Sequence, residues 1–235
     1  MNLCSGFLSI VFIFYRNLEA AALLILIGAI FDFLDGFSAK MLDAISPVGK
    51  VLDSLADIVT FGLAPAAIMY RLVELSLAHT TPEFDFYTAS ITARIFLFSS
   101  VIILIASAIR LAEFSVRKES DQFYGMPTPA TGLFISGLAI MASDPETTPL
   151  ASIVINIYFL LCTILILSLF MVSKIRFISL KFKNFHIRQH AIQYIFLGIS
   201  VIMLIVFKKF AISLIILVYI FISIVNHFIA KSPDQ

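Results

Sequence analysis

The sequence predicts an all-α polytopic transmembrane helical bundle of about eight spans, and three observations carry that expectation. The 235 residues are 60% hydrophobic and 13% charged, with a mean hydropathy of +1.04, whereas soluble domains carry about 25% charged residues. The apolar residues fall into eight runs separated by short polar joints. Four aspartates, Asp32, Asp35, Asp53 and Asp57, gather at the joint between the second and third runs, a costly place for charge unless something compensates it.

Taken in order, the apolar runs lie near residues 2 to 15, 19 to 44, 50 to 76, 89 to 116, 126 to 142, 149 to 172, 190 to 207 and 210 to 230. A span needs about 20 residues, so the first run is short. It has neither a basic leader nor a small-residue cleavage site, and no cleavable signal is read there. Pro127 and Pro129 suit the opening turn of the fifth run. The last two runs are joined tightly enough to form a helical hairpin. The polar stretches 78 to 88 and 173 to 189 are too short to fold alone, so residues 1–235 are expected to be one integral membrane domain.

Charge sets the orientation. If the 40 to 50 joint is cytoplasmic, alternation puts Lys40, Lys50, Arg110, Arg117, Lys118, Lys174, Arg176, Lys181, Lys183, Arg188 and Lys231 on the same side. That leaves Arg16, Arg71, Arg94, Lys208 and Lys209 opposite, an asymmetry that obeys the positive-inside rule. A cell (inner) membrane protein with its aspartates facing the cytoplasm is expected. The net charge is +1 and there is no basic tract, which argues against a nucleic-acid partner. Cys4 and Cys162 lie in apolar runs, read as buried thiols without a disulfide framework.

Asp32 and Asp35 are three apart, and Asp53 and Asp57 four apart, so each pair shares a helix face. Four carboxylates therefore converge where two helices meet, and a divalent cation would offset their repulsion. Oxygen ligands without nearby His or Cys select Mg²⁺ or Mn²⁺, or less readily Ca²⁺, over Zn²⁺. Gly36, Ala39 and Gly49 leave a slot beside the carboxylates for a flat ligand. Arg110, Arg117 and Lys118, level with the aspartates, could hold an anionic group of a substrate. Carboxylates inside a membrane could also serve a divalent-cation transporter.

The run D-F-L-D-G-F-S-A-K from Asp32 to Lys40, followed after eight residues by G-K-V-L-D-S-L-A-D, resembles the signature of the CDP-alcohol phosphatidyltransferases. Lys40 stands where that family carries Arg, keeping the charge but not the two-pronged donor. Further runs are similar to the phosphatidylserine synthase branch: Asn2 to Ile10, Leu52 to Asp57, Phe61 to Pro65, Arg110 to Ala112, and Gly125 to Ala130. A Pro-Asn stretch usual before the first of these is missing here, and Glu113 and Ser115 stand where a basic residue and Asn are usual.

The resemblance implies a six-helix catalytic core over residues 1–183, with residues 184–235 an added helix pair and tail, and a homodimer. It implies transfer of the phosphatidyl group of CDP-diacylglycerol to L-serine with release of CMP. Metal would be held by Asp32, Asp35, Asp53 and Asp57, Asp57 would be the base, Lys40 would lie near a phosphate, and cytidine would occupy the glycine slot. Glycerol 3-phosphate as acceptor, or an archaeal-type lipid donor, are the alternatives within the family.

Overall fold

Among the described residues, each of the eight apolar runs holds helix. The computed structural model describes residues 1–42, 46–81, 84–116, 123–143, 151–177 and 191–230. In chain order these hold α1 (Asn2–Phe14), α2 (Leu18–Met41), α3 (Pro47–Asp57), a π-helical stretch (Ile58–Leu63), α4 (Ala64–Thr80), α5 (Ile91–Phe98) and α6 (Val101–Val116). There follow α7 (Thr128–Ala142), α8 (Ala151–Val154), α9 (Ile157–Val172), α10 (Ala191–Phe207), a 3₁₀ turn (Lys208–Phe210) and α11 (Ala211–Ala230). The all-α expectation holds but for one short ladder, in which β1 (Phe123–Tyr124) pairs antiparallel with β2 (Arg176–Phe177).

Among the described residues, four segments are long and apolar enough to cross a membrane: Leu18–Ala39, Pro47–Thr80, Ile91–Val116 and Ala211–Phe228. The other four apolar helices, Asn2–Phe14, Thr128–Ala142, Ile157–Val172 and Phe196–Phe207, are shorter. At 1.5 Å per residue α1 reaches only about 20 Å, against a hydrocarbon core of about 30 Å. The molecule is thus a polytopic membrane bundle with full-length and shorter helices interleaved.

Local sequence sets where the helices begin. The Asn17 side chain accepts from the Ala20 amide at the start of α2. Ser46 does the same for the Gly49 amide at the start of α3, with Pro47 following it. Asn156 caps α9 through the Tyr158 and Phe159 amides. Each side chain satisfies donors that an opening turn leaves unpaired, and proline fits where no intrahelical N–H is needed.

The first helix buries its polar side. Asn2, Ser5, Gly6 and Ser9, spaced for one face, are buried, while Leu3, Phe7 and Leu8 are exposed. In lipid the apolar face loses nothing by facing outward, and small polar residues let backbones approach. Ser9 Oγ donates to the Ala21 carbonyl at 2.8 Å, tying α1 to α2. Gly6 lies so close to Thr60 that a Cβ there would collide with its Oγ1 and Cα. From the other side a Cβ on Gly28 would come within 2.6 Å of Thr60 Cγ2.

The centre is α7, thirteen of whose 15 residues are buried, as expected of a helix apolar all round. It touches α2, α4 and α11. At the α11 crossing a Cβ on Gly137 would collide with Ser213, whose Oγ donates to the Phe134 carbonyl at 3.0 Å. Ile216, Tyr219 and Ile220 of α11 are buried in the same core. Pro127 and Pro129 open α7 as the sequence predicts. Gly125, just before them, has φ +77°, and a Cβ there would strike the Met171 carbonyl. Its amide donates to the Ile175 carbonyl at 2.9 Å and that of Met126 to the Phe170 carbonyl at 2.9 Å, fastening the approach to α7 under the end of α9. Cys4 and Cys162 are unpaired, but exposed on outer faces of α1 and α9 rather than buried, because those faces meet lipid.

Gly6→Ala should lower stability by roughly 1–3 kcal/mol, since it overfills a contact made by backbone. Gly198→Ala is the neutral control, because a Cβ on Gly198 would meet nothing within 4 Å. Thermal unfolding of both variants in detergent checks the contrast.

Candidate active site

The end of α2 and the body of α3 meet at the aspartates. One carboxylate oxygen from each of Asp32, Asp35 and Asp53 lies within 4.8 Å of the other two. Asp35 and Asp53 are exposed, whereas Asp32 and Asp57 are half-buried. Asp57 adjoins this trio, its carboxyl within hydrogen-bond reach of Asp32. Its Oδ1 accepts from Asn2 Nδ2 at 2.9 Å, and the same nitrogen reaches Asp32 Oδ1 at 3.4 Å. Three of the four expected ligands are thus gathered around one point, and the fourth is adjacent and held by the first helix. A set of oxygen donors without imidazole or thiolate fits a hard divalent cation.

Directly after Asp57 the helix widens into the π-helical stretch, burying Thr60, Phe61 and Gly62. A single π turn rotates the following residues relative to the preceding ones, and such turns recur at functional sites. Here it lets one continuous segment present Asp53 and Asp57 to α2 while sending Phe61 toward Gly132 of α7, where a Cβ would be 3.2 Å from its ring.

The expected slot residues have different surroundings. A Cβ on Gly36 would meet nothing within 4 Å, so its surface is open. Ala39 is half-buried. Gly49 belongs to the start of α3, its amide donating to Ser46 Oγ at 3.0 Å. Lys40 lies in the last turn of α2.

Across the site, α6 crosses α3. Ser54 Oγ and Ser115 Oγ are 3.1 Å apart, and Lys50 Nζ stands 5.9 Å from the Phe114 ring centroid. One turn before Phe114, the half-buried Arg110 directs Nη1 to Thr128 Oγ1 at 3.5 Å, and its Nε has no partner among the described residues. The charge of Arg110 faces Asp57 and Tyr219. Arg117 and Lys118 lie outside the described residues.

Several neighbours escape sequence reasoning. Asn2 is visible only as the first letter of a run similar to other family members, which marks a position but not a contact. Thr128 likewise lies in a run similar to other family members, whereas Thr60 and Tyr219 carry no signal, because their nearness to the site depends on other elements. Thr128 enters from the start of α7, and Tyr219 from a helix near the end of the chain.

The profile of the family described as CDP-alcohol phosphatidyltransferase matches residues 1–169. A CDP-diacylglycerol–serine O-phosphatidyltransferase of Bacillus subtilis (strain 168) is 35% identical over 133 residues, covering 56% of this chain and 67% of that protein. One of the same name from Methanocaldococcus jannaschii is 31% identical over 134 residues, 57% of each chain. An archaetidylserine synthase of Methanothermobacter thermautotrophicus is 32% identical over 139 residues, 58% of this chain and 53% of that protein. The chain therefore spans about half to two thirds of the length of these curated relatives. With the aspartate signature placed at a helix junction and 169 residues matched end to end, the chain belongs to the CDP-alcohol phosphatidyltransferase family.

Proposed function

We propose that this protein transfers the phosphatidyl group of CDP-diacylglycerol to the hydroxyl of L-serine, giving phosphatidylserine and CMP. The observation that carries the reading is the gathering of Asp32, Asp35 and Asp53 oxygens beside Asp57, with Arg110 facing Asp57. Serine as acceptor is supported by the names of the Bacillus and Methanocaldococcus relatives.

Asp32, Asp35 and Asp53 would hold Mg²⁺ or Mn²⁺, with Asp57 contributing from the side. The bound ion supplies charge neutralisation for the pyrophosphate and the departing CMP. Cytidine lies against the open surface of Gly36 and Ala39 near Gly49, and Lys40 lies by a phosphate. Arg110, with Arg117 and Lys118, holds the serine carboxylate, as a guanidinium suits that planar partner. Asp57 takes the proton of the serine hydroxyl while its oxygen forms a bond to the phosphorus bearing diacylglycerol and the bond from that phosphorus to CMP breaks. Attack is direct, so no covalent phosphatidyl-enzyme forms. The protein is one domain, residues 1–235, with a core over 1–183 and a helix pair beyond it. It works as a homodimer in the cell membrane with the site facing the cytoplasm, among the lipids that supply its donor.

Purified protein in detergent with CDP-diacylglycerol, Mn²⁺ or Mg²⁺ and a panel of labelled alcohols should release CMP with serine alone. Release only with glycerol 3-phosphate would reassign the acceptor, and the absence of release with any of the alcohols would remove the transferase reading. Asp57→Asn should lower turnover by about 10²–10⁴-fold, the usual worth of a positioned base, while CDP-diacylglycerol still binds by filter or fluorescence assay. Asp53→Asn should instead raise the Mn²⁺ concentration needed for half-maximal rate. Gly36→Ala should keep or raise thermal stability, since alanine is better by roughly 0.5–1 kcal/mol inside a helix, yet raise KM for CDP-diacylglycerol.

A further inference from the structure

Asn2 has no part in the reaction as written, yet its surroundings are those of a built contact. The residue is 3% exposed. Its side-chain nitrogen serves Asp57 of α3 at 2.9 Å and Asp32 of α2 at 3.4 Å, one hydrogen for each. Its backbone carbonyl accepts from Thr60 Oγ1 at 3.0 Å, and Thr60 is itself fully buried where Gly6 and Gly28 close on it. Two carboxylates face the amide, so the NH₂ end must point to them. The amide oxygen is left beside Gly28 with no donor among the described residues. A buried acceptor without a donor is unfavourable, and the fold accepts it to aim the nitrogen.

From this geometry, and resting on the transferase reading above, we propose that Asn2 is a positioning residue that fixes the orientation of Asp57 beside the other aspartates. Its amide ties Asp57 of α3 to the first helix at the edge of the Asp32, Asp35 and Asp53 cluster, with a longer second contact to Asp32. Asp57 is thereby fixed in one orientation beside the cation site, from which it takes the hydroxyl proton. The amide also puts two donors where Asp32 and Asp57 would otherwise meet charge to charge. Thr60 is the anchor, because its hydroxyl holds the backbone of Asn2 while glycines on two helices hold Thr60.

The test uses the full chain in detergent. Asn2→Leu keeps the side-chain size and removes both N–H donors. Its kcat for CMP release with serine should fall by about 10²-fold, the cost of misplacing a reacting group by on the order of 1 Å. Mn²⁺ affinity, read by electron paramagnetic resonance without substrate, and KM for CDP-diacylglycerol should stay at the starting values. Asn2→Gln, which keeps the amide, should recover part of the loss. Unchanged kcat overturns the proposal, and so does a joint fall of kcat, Mn²⁺ affinity and thermal midpoint, which marks a mere structural staple. If Asn2→Leu does not fold, Thr60→Val carries the test. A kcat lowered about fivefold, the worth of one neutral hydrogen bond, at unchanged Mn²⁺ affinity supports the proposal, and unchanged kcat overturns it. Absence of serine-dependent CMP release from the unaltered protein overturns the transferase reading itself, a failure told apart because it appears before any substitution is made.

Discussion

Like charges brought together at the edge of an apolar bundle set the terms for everything around them. Two carboxylates about 4 Å apart repel by about 1 kcal/mol in water and about 4 kcal/mol near a protein surface, and here three place oxygens within 4.8 Å of one another. The neighbourhood is arranged to make that tolerable. Two of the three are exposed, Asn2 supplies donors to Asp32 and Asp57, and the Arg110 guanidinium faces Asp57. A hard divalent ion would complete the compensation, and the donor set is of the kind such an ion takes.

Close approach of helices makes this junction possible. In water a helix buries its apolar stripe; here α1 buries Asn2, Ser5, Gly6 and Ser9 instead. Because lipid solvates Leu3, Phe7 and Leu8 as well as protein would, contact is won by small side chains and hydrogen bonds. Gly6, Gly28 and Thr60 bring three elements to one point, and the Ser9 bond to Ala21 continues the seam along α2. The same device recurs at Gly137 and Ser213, where α11 is seated against α7. The last helix therefore packs its Ile216, Tyr219 and Ile220 into the bundle's buried apolar cluster, and Tyr219 faces Arg110 as a result.

Much of this was legible from residue order. Hydropathy marked where the helices lie, since every apolar run holds helix among its described residues. The spacing of Asp32, Asp35 and Asp53 put three carboxylates where they meet, because helical periodicity turns a spacing of three or four into a shared face. Span length was less legible. Composition does not say where a run is broken, and the turn at Ser99 and Ser100 between α5 and α6, or the gap between α8 and α9, interrupts runs that read as continuous.

What the sequence determined by itself was the solvent, the helices and the aspartate cluster, all of which depend on local composition and periodicity. Only the tertiary structure decided that Asn2 touches two of those aspartates, that a π-helical turn follows Asp57, and that Arg110 meets Thr128. Each of these joins residues from different helices or a change of helical phase. No local pattern encodes such a meeting, because it is fixed by how closely the backbones can approach.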